Sequence, residues 1–387
     1  MSEPRFAEVA VGLPVHTTFH YKIPRKLQAQ LHVGERVRVP FHNRQILGIV
    51  VGLVDRTEFE RIKPITELID EHPIMDADLL EVTRWMASTY HAAWGETIQT
   101  ALPGPLRRGK TTMRSRVEEV PVVHPRTGPH SLTAEQSAAV DAVTGAAGHR
   151  VFLLYGITGS GKTEVYLQAI ERLLAKGKSS IVLVPEIALT PQAIERFEGR
   201  FGAERIAVLH SGMLESRRLR EWNRIRSGEA CVVVGARSAV FAPVQSLGLI
   251  VIDEEHEPSY KQDEDPRYHA REVAIQRARI AGTPVVLGSA TPAIETFHQA
   301  LQGKFTLLRL RTRIDEVPLP EVEIVDMREE LSVGRKGRIF SRRLEEALAQ
   351  TLQKLRCWQG QGYYFAQAMP EQAAYDYWRA RWNFETV

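Results

Sequence analysis

A chain of 387 residues with 43% hydrophobic and 25% charged residues is long enough for two or three domains with sizeable cores. Its formal net charge of +3 leaves any polyanionic partner to a local patch, and its two cysteines, Cys231 and Cys357, are too few for a disulfide framework or a structural zinc cluster. No run reaches the ~20 apolar residues that span a bilayer and no signal-peptide core opens the chain, so a cytoplasmic protein without a membrane partner is expected.

Residues 1 to about 70 alternate apolar and polar positions in short runs, such as FAEVAV at 6–11 and RVRV at 36–39, with Gly and Pro between them. This predicts a small β-rich domain. From Asp76 to Ala101 the apolar residues Leu79, Leu80, Val82, Trp85, Met86, Tyr90 and Trp94 return at helical spacing and stop at the Pro- and Gly-rich residues 102–105. One or two helices packed on that sheet are expected, giving a first domain over 1–105. Residues 106–130 show no lasting period and read as a linker. Beyond Ser131, apolar strand-like runs at 151–155, 181–185, 206–209, 230–234, 249–252 and 284–287 alternate with helical stretches. That alternation predicts an α/β domain with a doubly wound parallel sheet over 131–350, with ligands at the carboxyl ends of its strands. Residues 351–387 form an atypical tail.

Residues 156–163, GITGSGKT, fit the phosphate-loop pattern G-x-x-x-x-G-K-[ST] between a predicted strand and a predicted helix. Gly156, Gly159 and Gly161 let the backbone around Ile157, Thr158 and Ser160 turn its N–H groups towards phosphate oxygens, and the helix start favours the anion. Lys162 adds charge at the terminal phosphates, and Thr163 is the expected magnesium ligand. Ninety residues on, the strand LIVI at 249–252 runs into Asp253-Glu254-Glu255-His256. Asp253 is placed to hold magnesium and Glu254 to orient and deprotonate water. Read alone, the acidic run is equally a helix start favoured by the dipole.

These two stretches resemble motifs I and II of superfamily-two helicases. LVPEIALTPQ at 183–192, LHSG at 209–212, GARSAVFAP at 235–243 and GSATP at 288–292 are similar to the PriA family of primosomal helicases, which act at stalled replication forks. The resemblance implies a RecA-like first helicase lobe with ATP and magnesium, and DNA as partner in forked, single-stranded and 3′-ended forms. Other primosome proteins and single-strand-binding protein are implied as further partners. By the same resemblance, His256, Ser289 and Thr291 couple the γ-phosphate to the DNA side, and Gln136 reads adenine. Arg237, Ser238, Tyr260, Lys261, Arg267 and Tyr268 become DNA contacts, with the two tyrosines as base-stacking rings among cations. A solvated face over two packed tyrosines is the alternative. The first domain resembles the family's 3′-end-binding domain, with Phe19, Tyr21 and Lys63 as ring and cation positions. His20 stands where an aspartate is common, and His42 replaces a usual glycine.

The resemblance also implies departures. A winged-helix module is expected to be missing between the domains, and the second motor lobe, with its zinc cysteines and arginine-bearing motifs, is expected to be absent. ATP hydrolysis by this chain alone is therefore expected to be poor. For the Trp-, Tyr- and Gln-rich ending, a truncated or frame-shifted product is the expectation. The competing expectations are a DNA-structure-binding protein without a motor and a restriction-type translocase subunit.

Overall fold

The structure is a computed structural model that describes residues 5–112, 125–314, 322–332 and 340–354. It divides into two compact units, Met1–Glu316 and Val317–Val387. The tail beyond 354 lies outside the described residues.

The first unit opens with β1 (Phe6–Val11), β2 (Phe19–Lys22), β3 (Arg36–Phe41), β4 (Arg44–Val54) and β5 (Glu67–Leu68). They pair antiparallel in the order β2-β1-β4-β3-β5. Ala7, Val9, Val11, Val37, Val39 and Val50 fill the core on one side, as the alternating pattern requires. Three helices follow: α1 (Ala77–Thr89), α2 (Trp94–Ala101) and α3 (Gly104–Arg107). Asp76 caps α1 by accepting from the Leu79 N–H at 2.7 Å.

The second half of the unit begins with α4 (Ala134–Thr144), β6 (Arg150–Gly156), α5 (Lys162–Leu174), β7 (Ser179–Leu183) and α6 (Pro191–Phe201). It continues through β8 (Ile206–Leu209), α7 (Glu215–Arg226), β9 (Val232–Gly235), β10 (Leu247–Ile252) and α8 (Ala270–Ile280). It closes with β11 (Pro284–Ser289), α9 (Ile294–Leu301) and β12 (Thr306–Leu310). Seven strands pair parallel in the order β12-β6-β11-β10-β7-β9-β8. β7, β9 and β11 are buried at every residue, because helices cover both faces of a parallel sheet. This is the RecA-like architecture expected. The second unit contains α10 (Met327–Ser332) and α11 (Arg342–Lys354).

Two expectations change. α2 lies against β1 as anticipated, but α1 packs on α8, so Leu79, Met86, Val273, Ala274 and Ala278 share one core with Ile98 of α2. The linker's last part is also built into the fold: the Thr127 N–H donates to the Gly199 carbonyl at 2.9 Å, and the His130 N–H to Glu164 Oε1 at 3.1 Å.

Candidate functional site

Strand β6 ends at Gly156 and α5 starts at Lys162, leaving a tight loop whose Gly159 and Gly161 sit at φ +82° and +77°. Only glycine adopts such angles without strain. A Cβ at Gly161 would also meet Gln136 Nε2 at 2.5 Å. Lys162 is nearly buried at the foot of the loop. Its Nζ donates to the Gly156 carbonyl at 3.0 Å and lies 3.8 Å from Glu254 Oε1. Two strands away, β10 delivers Asp253, whose N–H donates to the Leu183 carbonyl at 2.9 Å.

The Asp253 carboxylate accepts a hydrogen bond from the Tyr166 hydroxyl at 3.0 Å, and its carbonyl accepts from the Tyr260 hydroxyl at 2.7 Å. Burial, and then the neighbouring Glu254, push its pKa above the usual carboxylate range, against the pull of Tyr166 and Lys162. Glu254 sits at φ +45°, a left-handed conformation that costs a side chain ~1–2 kcal/mol. Strain of this kind persists where the surrounding structure enforces it.

β11 lies between β6 and β10 and supplies the next links. His256 Nδ1 shares a hydrogen bond with Ser289 Oγ at 2.8 Å and lies 3.7 Å from Glu254 Oε2. Ser289 Oγ accepts from the Thr291 N–H at 3.0 Å, and Thr291 Oγ1 is 3.4 Å from His256 Nε2. The loop, Lys162, Thr163, Asp253 and Glu254 line one cleft of about 830 Å³, whose wall also includes His130, Arg196 and Arg200. A flexible glycine cradle, a cation at its foot and two carboxylates across it form the donor set that a magnesium-bound nucleotide requires.

Gln136 also lines this cleft. Its Oε1 accepts from the Thr133 N–H at 2.8 Å and its Nε2 donates to the Ser160 carbonyl at 2.9 Å, so it caps α4 and ties α4 to the phosphate loop. Its amide is thus engaged at both ends where it lines the cleft.

The expected DNA residues divide. Tyr260 and Tyr268 are each 1% exposed and Tyr21 is 4% exposed, so none offers a ring face to a base, and the stacking role given to them is corrected. Tyr260 braces Asp253, Tyr268 packs on Phe241, and the Tyr21 hydroxyl donates to the Pro40 carbonyl at 3.3 Å. Packed tyrosines under a charged face describe the first pair. Arg237, beside exposed Ser238, reaches the Lys261 carbonyl with Nη1 at 2.5 Å, and Lys261 Nζ reaches the Arg267 carbonyl at 2.5 Å, while the exposed Arg267 guanidinium lies 3.5 Å from Asp265 Oδ1. Phe19 packs edge-on to Phe41, half-buried, and Lys63 Nζ reaches the His42 carbonyl at 3.4 Å. His42 turns the β3–β4 hairpin at φ +51°, the position where the resemblance expects glycine.

Sequence reasoning missed Tyr166, which lies four residues after Lys162 on the buried face of α5. It also missed Glu255, 0% exposed, which accepts from Arg271 Nη1 at 2.8 Å, Thr296 Oγ1 at 2.9 Å and the Ala293 N–H at 2.7 Å. A third carboxylate behind the acidic pair was the available signal, since a buried charge requires a partner.

A parallel sheet with a lysine-tipped glycine loop after one strand, an acidic pair two strands away and a histidine-linked turn between them defines a nucleotide-binding helicase lobe. Residues 133–300 match the DEAD/DEAH box helicase model, and residues 8–103 match the 3′ DNA-binding domain model of PriA. The chain belongs to the PriA family. Replication restart protein PriA of Bacillus subtilis (strain 168) is 54% identical over 232 residues, which is 59% of this chain and 29% of that protein. That of Treponema pallidum (strain Nichols) is 40% identical over 350 residues, 89% of this chain and 52% of that protein. The helicase domain of Pyrococcus furiosus Hef aligns at 21% identity with a TM-score of 0.36, covering 46% of this chain and 37% of that one. The chain thus spans about half the length, or less, of these curated relatives. Among the described residues no helix is long and apolar enough to cross a membrane.

Proposed function

We propose that the chain carries the DNA-end-recognising and ATP-binding parts of a replication-restart motor that moves 3′-to-5′ along DNA at stalled forks. Other primosome proteins and single-strand-binding protein are its proposed partners. The observation that supports this best is the continuous run from Lys162 through Glu254 and His256 to Ser289 and Thr291, with no gap above 3.8 Å.

In this reading the amides of residues 156–163 cradle the phosphates and Lys162 exchanges its present partners for the terminal ones. Thr163 and Asp253 would hold a magnesium ion, whose charge offsets that of the terminal phosphates. Glu254 orients the attacking water and takes its proton. His256, in reach of both Glu254 and Ser289, then senses whether Glu254 has moved, and the turn at 289–291 passes that change to the loops at the carboxyl ends of the neighbouring strands. Phe19 and Lys63 hold a strand end, while Arg237, Ser238, Lys261 and Arg267 contact backbone phosphates.

Measuring single-strand-stimulated ATP turnover, together with nucleotide affinity, tests the motor. Lys162→Ala is expected to lower turnover by ~10²-fold or more, the scale of losing one preorganised charge at a reacting centre. Fork binding with no turnover in the unaltered chain would leave a DNA-structure binder instead.

A further inference from the structure

Helix α3, where the DNA-binding domain ends, meets the loop after β8 and the start of α7 around a second pocket, of about 420 Å³. Three guanidiniums, those of Arg107, Arg108 and Arg218, line it with a single carboxylate, that of Glu215. Arg108 is paired to Glu215, and Arg218 donates to the His210 carbonyl. Arg107 uses only its Nε, on the Leu102 carbonyl at 2.8 Å; among the described residues its two Nη groups have no partner. Its guanidinium is held below the usual range, first by desolvation and then by the charges of Arg218 and Arg108. The cluster therefore holds more positive charge than its own neighbours balance, a condition that a bound anion relieves.

Position selects the anion. Strand β8 is one edge of the seven-stranded sheet, and its loop, with Ser211 on the pocket wall, lies at the same sheet end as Arg237 after β9 and Lys261 after β10. A strand held by both the DNA-binding domain and the lobe crosses the place where they touch.

The geometry points to a phosphodiester site at Arg107 and Arg218 that takes one backbone phosphate of single-stranded DNA between the two domains. This rests on reading the chain as DNA-binding. Arg107 supplies the unpartnered Nη donors, Arg218 the second charge, and Glu215 tempers the site by holding Arg108.

The test is the affinity of the full chain for an oligo-dT strand, by fluorescence anisotropy at a series of salt concentrations. Arg107→Gln and Arg218→Gln should each flatten the slope of log affinity against log salt by ~0.7, the loss of one single-strand phosphate contact, and weaken binding ~3-fold at moderate salt. Glu215→Gln should act in the opposite direction, tightening binding by a similar factor. A gain on removing an exposed carboxylate cannot arise from misfolding, and Arg107→Lys should recover most of the slope. If the unaltered chain binds with a clear slope that none of these variants changes, the site is wrong and the DNA-binding reading stands. If the unaltered chain binds no strand, that reading fails and the site with it. A melting temperature that inorganic phosphate raises in the unaltered chain but not in Arg107→Gln, with the DNA slope unchanged, would mark a free-anion pocket and overturn the assignment.

Discussion

Asp253 combines two demands that oppose each other. In the proposed role of magnesium ligand it must be ionised, yet its buried position beside Glu254 holds its pKa above the ordinary carboxylate value. A carboxyl whose pKa is higher folded than unfolded favours the native state while it is protonated. That increment is complete below the unfolded value of about 3.9 and is lost as pH rises through the folded one. Asp253→Asn keeps an oxygen for the Tyr166 hydroxyl and removes the titration. The nucleotide-free Asn variant should therefore melt higher than the unaltered chain at neutral pH, and the gap should close as pH falls into the acid range. Its ATP turnover should drop by ~10²-fold or more. Thermal melting across pH decides this: curves that stay parallel would mean that Asp253 carries no such cost.

At the scale of elements, β11 couples the site because it carries Gly288 beside Ser289. A Cβ at Gly288 would fall 1.6 Å from the Tyr166 hydroxyl and 3.4 Å from Asp253 Oδ1. Tyr166 is 2% exposed and cannot swing aside. Gly288→Ala should thus destabilise by ~1–3 kcal/mol and displace the hydroxyl from Asp253. Removing that hydroxyl with Tyr166→Phe should recover part of the loss, so a double-mutant cycle by denaturant unfolding should give a clearly non-additive pair. Additive costs would show that the two do not meet. Legibility followed the same division. Six of the seven parallel strands were visible as apolar runs because helices cover them on both faces, whereas β12 is mostly half-buried and exposed Arg309 interrupts its apolar residues. The phosphate loop and the acidic pair were legible because their chemistry fixes residue types at set spacings. The tyrosines at 260 and 268 were read as stacking rings because a sequence shows that a ring lies among cations but not which way it turns. The tie of Gln136 to the phosphate loop was hidden likewise, because its partner, the Ser160 carbonyl, is 24 residues distant.

At the scale of the whole first unit, the DNA-binding domain and the lobe do not have separate cores at their junction. Leu79, Val82 and Met86 of α1, Ile98 of α2 and Leu106 of α3 belong to the same buried cluster as Trp222 of α7 and Val273 of α8. Polar contacts reinforce it. The His269 N–H donates to the Tyr90 hydroxyl at 3.3 Å, and fully buried Arg277 donates to the Val240 and Ala242 carbonyls. Burial pushes the Arg277 pKa down to about 10, and Asp76 and Asp78 at the start of α1 hold it up against that, so α1 also answers a charge on α8. A core shared in this way couples unfolding, because opening one domain exposes apolar surface on the other. Met86 is fully buried, and Met86→Ala should cost ~2–5 kcal/mol by loss of burial and the cavity left behind. It should lower the melting temperature by on the order of 5–10 °C. The decisive feature is that both halves should move together: far-ultraviolet circular dichroism and loss of nucleotide binding should report one coincident transition before and after the substitution. Two separated transitions, with nucleotide binding surviving the lower one unchanged, would mean that the domains fold independently and that a strand crossing their junction is not held on a rigid frame.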